Sequence, residues 1–307
     1  MTISQNQTAI SLSGKSRQAP ALLVFVGTLL AFNVILSKQA AASGAAMLWY
    51  LTVSLSASGL VLILLAARGG DLRRRLVGVL PYSIAAGALL ALGMALGYLA
   101  VGHVGAAFIA LAMAFPTLLT YLMSLALRME RHSGFRLSGV ALSLAGGLLL
   151  ARAKGGEIVP VDRLAVLVAC MMPVVLAIGN IFRSRYWPHG ATPLLLAGSI
   201  LLCGAVATFP FAIWIEGGAV RSLWTMPAVT AITALATLSF TIQYVAVLRL
   251  QQIAGPTYLS QIGSVAAISG TFIAVAIFDE RLPDGFGTAA IMIALGVVLF
   301  QLSARRR

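Results

Sequence analysis

Apolar residues run along the chain in ten blocks separated by short polar segments, with limits 20–37, 45–66, 77–99, 104–127, 135–151, 164–182, 193–215, 226–248, 255–278 and 285–303. Each block approaches the roughly 20 residues that cross a bilayer as a helix. Backbone groups in lipid must find partners within the protein, and a helix satisfies them within one segment. The short alternating segments of a membrane barrel do not occur. The pattern predicts an all-α membrane protein of ten transmembrane helices. Blocks 3 and 4 are expected to meet at a short turn near His103, and blocks 8 and 9 at another near Gly255. The segment 1–19 is rich in Ser, Thr, Gln and Asn and reads as a disordered tail. No small-residue cleavage site follows the first block, so that block is read as helix 1 rather than as a secretory signal.

Within the blocks, polar residues fall on single helix faces. Thr230, Thr233, Thr237, Thr241 and Tyr244 recur at steps of three and four, as do Thr257, Gln261, Ser264, Ile268 and Thr271, with Ser260 beside them. Ala110, Ala114, Thr117, Tyr121 and Ser124 form a third stripe. That spacing keeps each set on one side of its helix and away from lipid. A Thr or Ser there can bond a neighbouring helix for about 0.6–2 kcal/mol. Gln243, Tyr244, Tyr258 and Gln261 point instead to a polar cavity, because a Gln amide must place both a donor and an acceptor. Asn33 and Asn180 lie late in blocks 1 and 6 and can hold the charged ends of a zwitterion or bond another helix. Met94 and Tyr98, one turn apart, suit an apolar pocket wall. Trp49 and Tyr50 at a block end read as interfacial belt residues. Pro116 and Pro173 lie within blocks 4 and 6, where a missing backbone bond can kink a helix or serve as a gate. His103 can titrate near neutral pH and so couple transport to protons. The ladders Gly93-x-x-x-Gly97 and Gly139-x-x-x-Ser143-x-x-x-Gly147 predict close helix approach, with a homodimer seam as the alternative to packing within a monomer.

Composition strengthens the membrane reading. Hydrophobic residues make up 60% of the chain and charged residues 9%, with mean hydropathy +0.98. Soluble domains carry about 25% charged residues. The net charge of +13 is carried by loops and chain ends. Lys and Arg concentrate on one set of alternate loops, which places both termini in the cytoplasm. No basic-aromatic module accompanies the charge, so nucleic acid is not an expected partner. Cys170 and Cys203 lie inside blocks and read as small core residues. No metal or cofactor is expected. All eight acids sit in loops or at block ends. Intramembrane carboxylates are the usual proton relays of pumps, so their absence from the blocks favours facilitated diffusion or exchange over proton coupling.

The chain also reads as built twice. Glu130-Arg131 and Glu280-Arg281 lie 150 positions apart, and Gly105 with Gly255 and Gly146 with Gly296 share that register. Asn33 and Lys38 recur as Asn180 and Arg185 with the same spacing. The halves are 20–152 and 164–304, joined by a loop at 153–163, with a basic tail at 305–307. Five blocks per half is an odd number, so the second half is inverted with respect to the first, as in many secondary transporters.

Pro116 in block 4, Glu130 closing it, and Gly139, Gly146 and Gly147 in block 5 resemble the EamA-type repeat of the drug/metabolite transporter superfamily. Tyr98 to Gly147 carries the first copy and Tyr244 to Gly296 the second. The resemblance implies a bacterial inner-membrane exporter of small metabolites, similar to amino-acid exporters and to the aromatic amino-acid type among them. The expected partners are a small-molecule substrate and the bilayer, and the expected state is a monomer or homodimer. A proton-coupled exporter, a non-transporting membrane subunit and an intramembrane enzyme are the competing readings. The enzyme reading rests on Ser269-Gly270, which lacks the preceding Gly of a G-x-S-G motif and has no base on its own helix.

Overall fold

The structure is a computed structural model. It describes the backbone of residues 3–68, 72–112, 115–130, 132–153, 163–278 and 285–305, and their side chains except at 3–17, 73–74, 101–111, 150–153, 163–166, 274–275, 277–278, 301 and 303–305. Among these residues there are helices and no strands: α1 (Ile3–Ala42), α2 (Met47–Ala67), α3 (Leu72–Ala112), α4 (Phe115–Ala126), α5 (Gly134–Ala153), α6 (Arg163–Arg185), α7 (Pro193–Glu216), α8 (Ser222–Thr225), α9 (Pro227–Ala254), α10 (Pro256–Ser260), α11 (Ile262–Phe278) and α12 (Phe286–Arg305). Among the described residues six helical segments are long and apolar enough to cross a membrane: Gln18–Ala42, Met47–Ala67, Arg75–Ala100, Leu167–Arg185, Pro193–Glu216 and Pro227–Ala254. The apolar helices Phe115–Ala126, Gly134–Leu149 and Phe286–Phe300 are shorter.

Two expectations differ from the structure. The helix α1 is described from Ile3 onward, so residues 3–19 of the tail expected over 1–19 are helical. Extending an existing helix costs far less than nucleating one, which lets polar residues continue it. The turn expected near His103 is absent, and α3 continues to Ala112. Gly102 and Gly105 each weaken a helix by only about 1 kcal/mol and leave every backbone N–H in place. Pro116 is the second residue of α4 as it is described, Phe115–Ala126, and residues 113 and 114 before it lie outside the described residues. At the other expected turn, α9 reaches Ala254, Gly255 takes φ +82°, and Pro256 opens α10. That backbone conformation suits glycine.

The long helices pack in antiparallel pairs. Thr52 of α2 bonds Thr208 of α7 at 2.8 Å, and further along Gly59 lies against Gly198 and Leu202. Gly139 of α5 lies against Gly296 and Phe300 of α12, and Gly146 against Ala289 and Ile293. Gly93 and Gly97 of α3 meet Leu176 and Met172 of α6. The helix α1 packs on α9 and α11, α3 also on α7, α2 also on α9, and α4 on α6. The Gly139 ladder therefore forms a seam within one chain. Large apolar side chains such as Val24, Leu64, Val206, Trp214 and Ile291 are exposed. Ser83, Thr52, Ser199 and Thr208 are buried, the polarity expected of a bundle whose solvent is lipid.

Loops and ends are tied by charge. Glu216, closing α7, accepts the backbone N–H groups of Leu48 and Trp49 at 2.9 and 3.0 Å. A carboxylate at a helix N-terminus meets both the free amides and the positive end of the helix dipole. The Trp49 indole donates to the Gly217 carbonyl at 2.9 Å, so this residue is a buried strap rather than an exposed belt residue. Glu130 pairs with Arg136 at 2.6 Å, and that guanidinium lies 5.1 Å from the Phe300 ring centroid. Arg131, Glu280 and Arg281 lie outside the described residues.

A Cβ added at Gly139 would stand 2.6 Å from the Gly296 carbonyl oxygen. Gly139→Leu is therefore expected to lower stability by about 1–3 kcal/mol, the usual range for overpacking, measured by reversible unfolding in detergent. Glu216→Ala removes the α2 cap and is expected to cost about 1–2 kcal/mol in the same assay.

Candidate functional site

The amide nitrogen of Asn33, on α1, donates to the Gln243 side-chain oxygen on α9 at 2.6 Å. Asn33 is 4% exposed, and its own amide oxygen meets no donor among the described residues. One turn further along α1, Ser37 donates to the Val34 carbonyl at 2.8 Å and lies beside the Tyr98 phenol of α3. Met94, Tyr98 and Tyr244 pack in one apolar cluster with Leu51, Leu55 and Tyr82. Met94 and Tyr98 also border Trp49, Tyr50 and Phe240. The hydroxyls of Tyr50, Tyr244, Ser54 and Ser239 are buried without a partner among the described residues. Buried polar groups are nearly always bonded, because desolvating them is costly. Several with unused capacity beside apolar walls make a place suited to a small amphipathic solute.

A second polar group surrounds Asn180 on α6. Its amide nitrogen donates to the Thr120 hydroxyl of α4 at 3.4 Å, and its amide oxygen accepts from Arg183 at 2.6 Å. Gln251 of α9 donates to the Asn180 carbonyl and to the Ser184 hydroxyl, both at 2.8 Å, and accepts from the Arg183 Nε at 3.1 Å. The Tyr82 hydroxyl donates to the Arg183 carbonyl at 3.1 Å. Four helices thus converge on one buried set. Arg183, Gln251, Thr120 and Ser184 are absent from the site expected from sequence. Arg183 lies one residue past the block limit at 182, where a basic residue ordinarily belongs to a loop. Its place three residues after Asn180, hence on the same helix face, is the signal that could have found it.

The remaining expected residues lie elsewhere. Thr117 donates to the Ser260 carbonyl at 2.9 Å, joining α4 to the end of α10. The Tyr121 hydroxyl donates to the Ser133 carbonyl at 3.3 Å. Tyr121 and Tyr258 share a separate cluster with Val140 and Phe300. Thr237 donates to the Thr233 carbonyl, while its own carbonyl accepts from Ser58 of α2 at 2.8 Å. Gln261, between α10 and α11, is 0% exposed, and both atoms of its amide lack partners among the described residues. Ser264 is buried one turn later. Pro173 lies inside α6. Pro116 is buried at the start of α4, and the His103 side chain lies outside the described residues. Among the described residues no group of three or more His, Cys, Asp or Glu side chains is placed to hold a metal. Ser269 lies 3.2 Å from the Thr28 hydroxyl.

These helices make the chain a helical, multi-pass membrane protein with polar residues clustered in its interior. No family model and no curated protein matches the chain. A solved structure described only as the crystal structure of a protein is similar to it, with TM-score 0.72, 22% identity, and coverage of 93% of this chain and 97% of that chain. At that identity the likeness concerns the fold alone.

Asn33→Ala and Gln243→Ala are expected to be coupled. A double-mutant cycle on unfolding in detergent should return about 0.6–2 kcal/mol, the range for interhelical hydrogen bonds in membranes. Additive effects would show that the two amides stabilise the bundle independently.

Proposed function

We propose that this chain is a secondary transporter of small neutral or zwitterionic metabolites, amino acids foremost, working by alternating access. In this reading it has ten spans in two inverted five-helix halves, both termini face the cytoplasm, and the membrane is the bacterial inner membrane. The fold is that of the EamA-type drug/metabolite transporters.

The observation that carries the proposal is the way the packing survives exchange of the halves. Shifting by 150 positions turns Gly139 into Ala289 and Gly146 into Gly296. The contact of Gly139 with Gly296 then becomes the contact of Ala289 with Gly146, which is also present. Ser143 donates to Ile293, its own counterpart, at 3.5 Å. With α1, α2, α3, α4 and α5 matched in turn to α6, α7, α9, α10–α11 and α12, the pair α1–α9 becomes α6–α3, α1–α11 becomes α6–α4, and α2–α9 becomes α7–α3. All of these pairs pack together. The matched helices α2 and α7 are antiparallel, as are α5 and α12, and antiparallel partners are what inversion requires. Inverted halves supply two related arrangements, one open to each side, around a fixed central site. The buried amides of Asn33, Gln243 and Asn180 and the apolar wall of Met94 and Tyr98 suit a solute with polar ends and an apolar body. Exchange or facilitated diffusion is favoured because the acids lie between spans or at span ends, and both described carboxylates, Glu130 and Glu216, are already engaged by other groups.

Purified protein in liposomes preloaded with unlabelled amino acids is expected to show saturable counterflow of the labelled amino acid. An imposed pH gradient is expected to leave the rate unchanged. Acceleration by the gradient would replace the facilitator with a proton-coupled exporter. Absence of flux for every amino acid and related metabolite tested would remove the transport reading.

A further inference from the structure

Arg183 is the one side chain in the Asn180 group that carries a charge. It is 7% exposed, with Asn180 at 8% and Gln251 at 3%. Its two bonds go to neutral amide oxygens, from Nε to Gln251 and from Nη2 to Asn180. Each amide is oriented by a further bond in which its nitrogen donates, Gln251 to Ser184 and Asn180 to Thr120. The described carboxylates are used elsewhere, Glu130 on Arg136 and Glu216 on the start of α2. Among the described residues, then, Arg183 is held in position without being neutralised.

The geometry leaves one edge of the guanidinium available. A guanidinium has five N–H donors in a rigid plane, and Nη1 bonds none of the described residues. Gly179, one turn earlier on α6, has no side chain and so makes room for Nη1. A Cβ there would come 3.2 Å from Nη1, closer than such contacts ordinarily run. The Tyr82 hydroxyl donates to the Arg183 carbonyl at 3.1 Å, and Tyr244 shares its cluster with Tyr82, against which Phe182, the residue before Arg183, packs. Of these, the Tyr244 hydroxyl is a buried donor without a partner among the described residues. Both rings belong to the apolar cluster with Leu51, Leu55 and Leu248, against which Phe182 and Met94 pack.

We propose that Arg183 and Tyr244 receive the carboxylate of the transported solute, whose apolar body lies along the Leu51–Leu55–Met94 wall. The inference rests on the transport reading and narrows it to carboxylate-bearing solutes with apolar side chains. A planar fork held by neutral amides matches a carboxylate with two parallel bonds, where lysine offers only a point charge. The positive charge would be compensated only when the solute is present, so an amine lacking the carboxylate would leave it bare.

The test uses the full-length protein with leucine and phenylalanine as probes, against isopentylamine and phenethylamine, which lack only the carboxylate. In thermal-shift measurements the wild type is expected to be stabilised by the amino acids and not by the amines. Arg183→Gln is expected to abolish that difference and Arg183→Lys to weaken it. Gly179→Ala keeps the charge but crowds Nη1, and it is expected to reduce the amino-acid response while melting cooperatively, which covers the case in which Arg183→Gln does not fold. In liposome counterflow, Arg183→Lys is expected to raise the KM for leucine about tenfold, one lost interaction of roughly the size that separates decades of affinity. Stabilisation of the wild type by amino acids with no flux would overturn the transport reading and leave the carboxylate site standing. Flux of leucine unchanged in folded Arg183→Lys and Gly179→Ala proteins would overturn the site and leave transport standing. Stabilisation by phosphatidylglycerol over phosphatidylcholine vesicles, with no response to any amino acid, would also overturn it, by assigning the charge to a lipid headgroup.

Discussion

Apolar surface gives helices in lipid no reason to associate, since the solvent is as apolar as they are. What holds this bundle is backbone approach at small residues. Gly139 and Gly296 bring α5 and α12 together, Gly59 and Gly198 do so for α2 and α7, and Gly87 with Gly204 for α3 and α7. Close approach lets weak contacts accumulate and lets short hydroxyls reach across. The Thr52–Thr208 and Ser83–Ser199 bonds, both 2.8 Å, lie beside such contacts. Helix pairs built this way need no large side chains at the seam, which leaves Tyr, Gln and Asn for the space between seams.

That division of labour explains where the polar residues go. Thr233, Thr237 and Thr241 each return a hydrogen bond to the carbonyl four residues back. Their hydroxyls are satisfied locally and add little to a site. Long amides cannot do this, so Asn33, Gln243, Asn180 and Gln251 reach other helices. The same helix α9 supplies Gln243 to α1 and Gln251 to α6, and so joins the two polar groups through one rigid element.

Much of the fold was legible because apolar length and breaker residues carry it. The blocks at 45–66 and 193–215 reappear as α2 and α7 within a residue or two. The ladder at Gly139 and Ser143 was read as close packing and lies in such a seam. Legibility fails where a decision is tertiary. The short gap between blocks 3 and 4 suggested a turn near His103, yet without proline the helix simply continues. At the site, Asn33 and Asn180 stood out by their spacing, whereas Arg183 did not. Basic residues beyond an apolar block ordinarily face water, and only the amides of Asn180 and Gln251 make burial of this one tolerable. Gln251 itself lies past the block limit at 248, in the part of α9 that hydropathy could not reach.

The Glu216 strap has a mechanical consequence. One carboxylate grips the first turn of α2, and the Trp49 indole grips the turn after α7. Prising these two ends apart would break three hydrogen bonds together, whereas the other ends of the same helices meet through glycine and leucine contacts that can slide. The pair is stiff at one end and compliant at the other, like tongs joined at the bow. Any separation of α7 from α2 therefore meets its greatest resistance at that closed end.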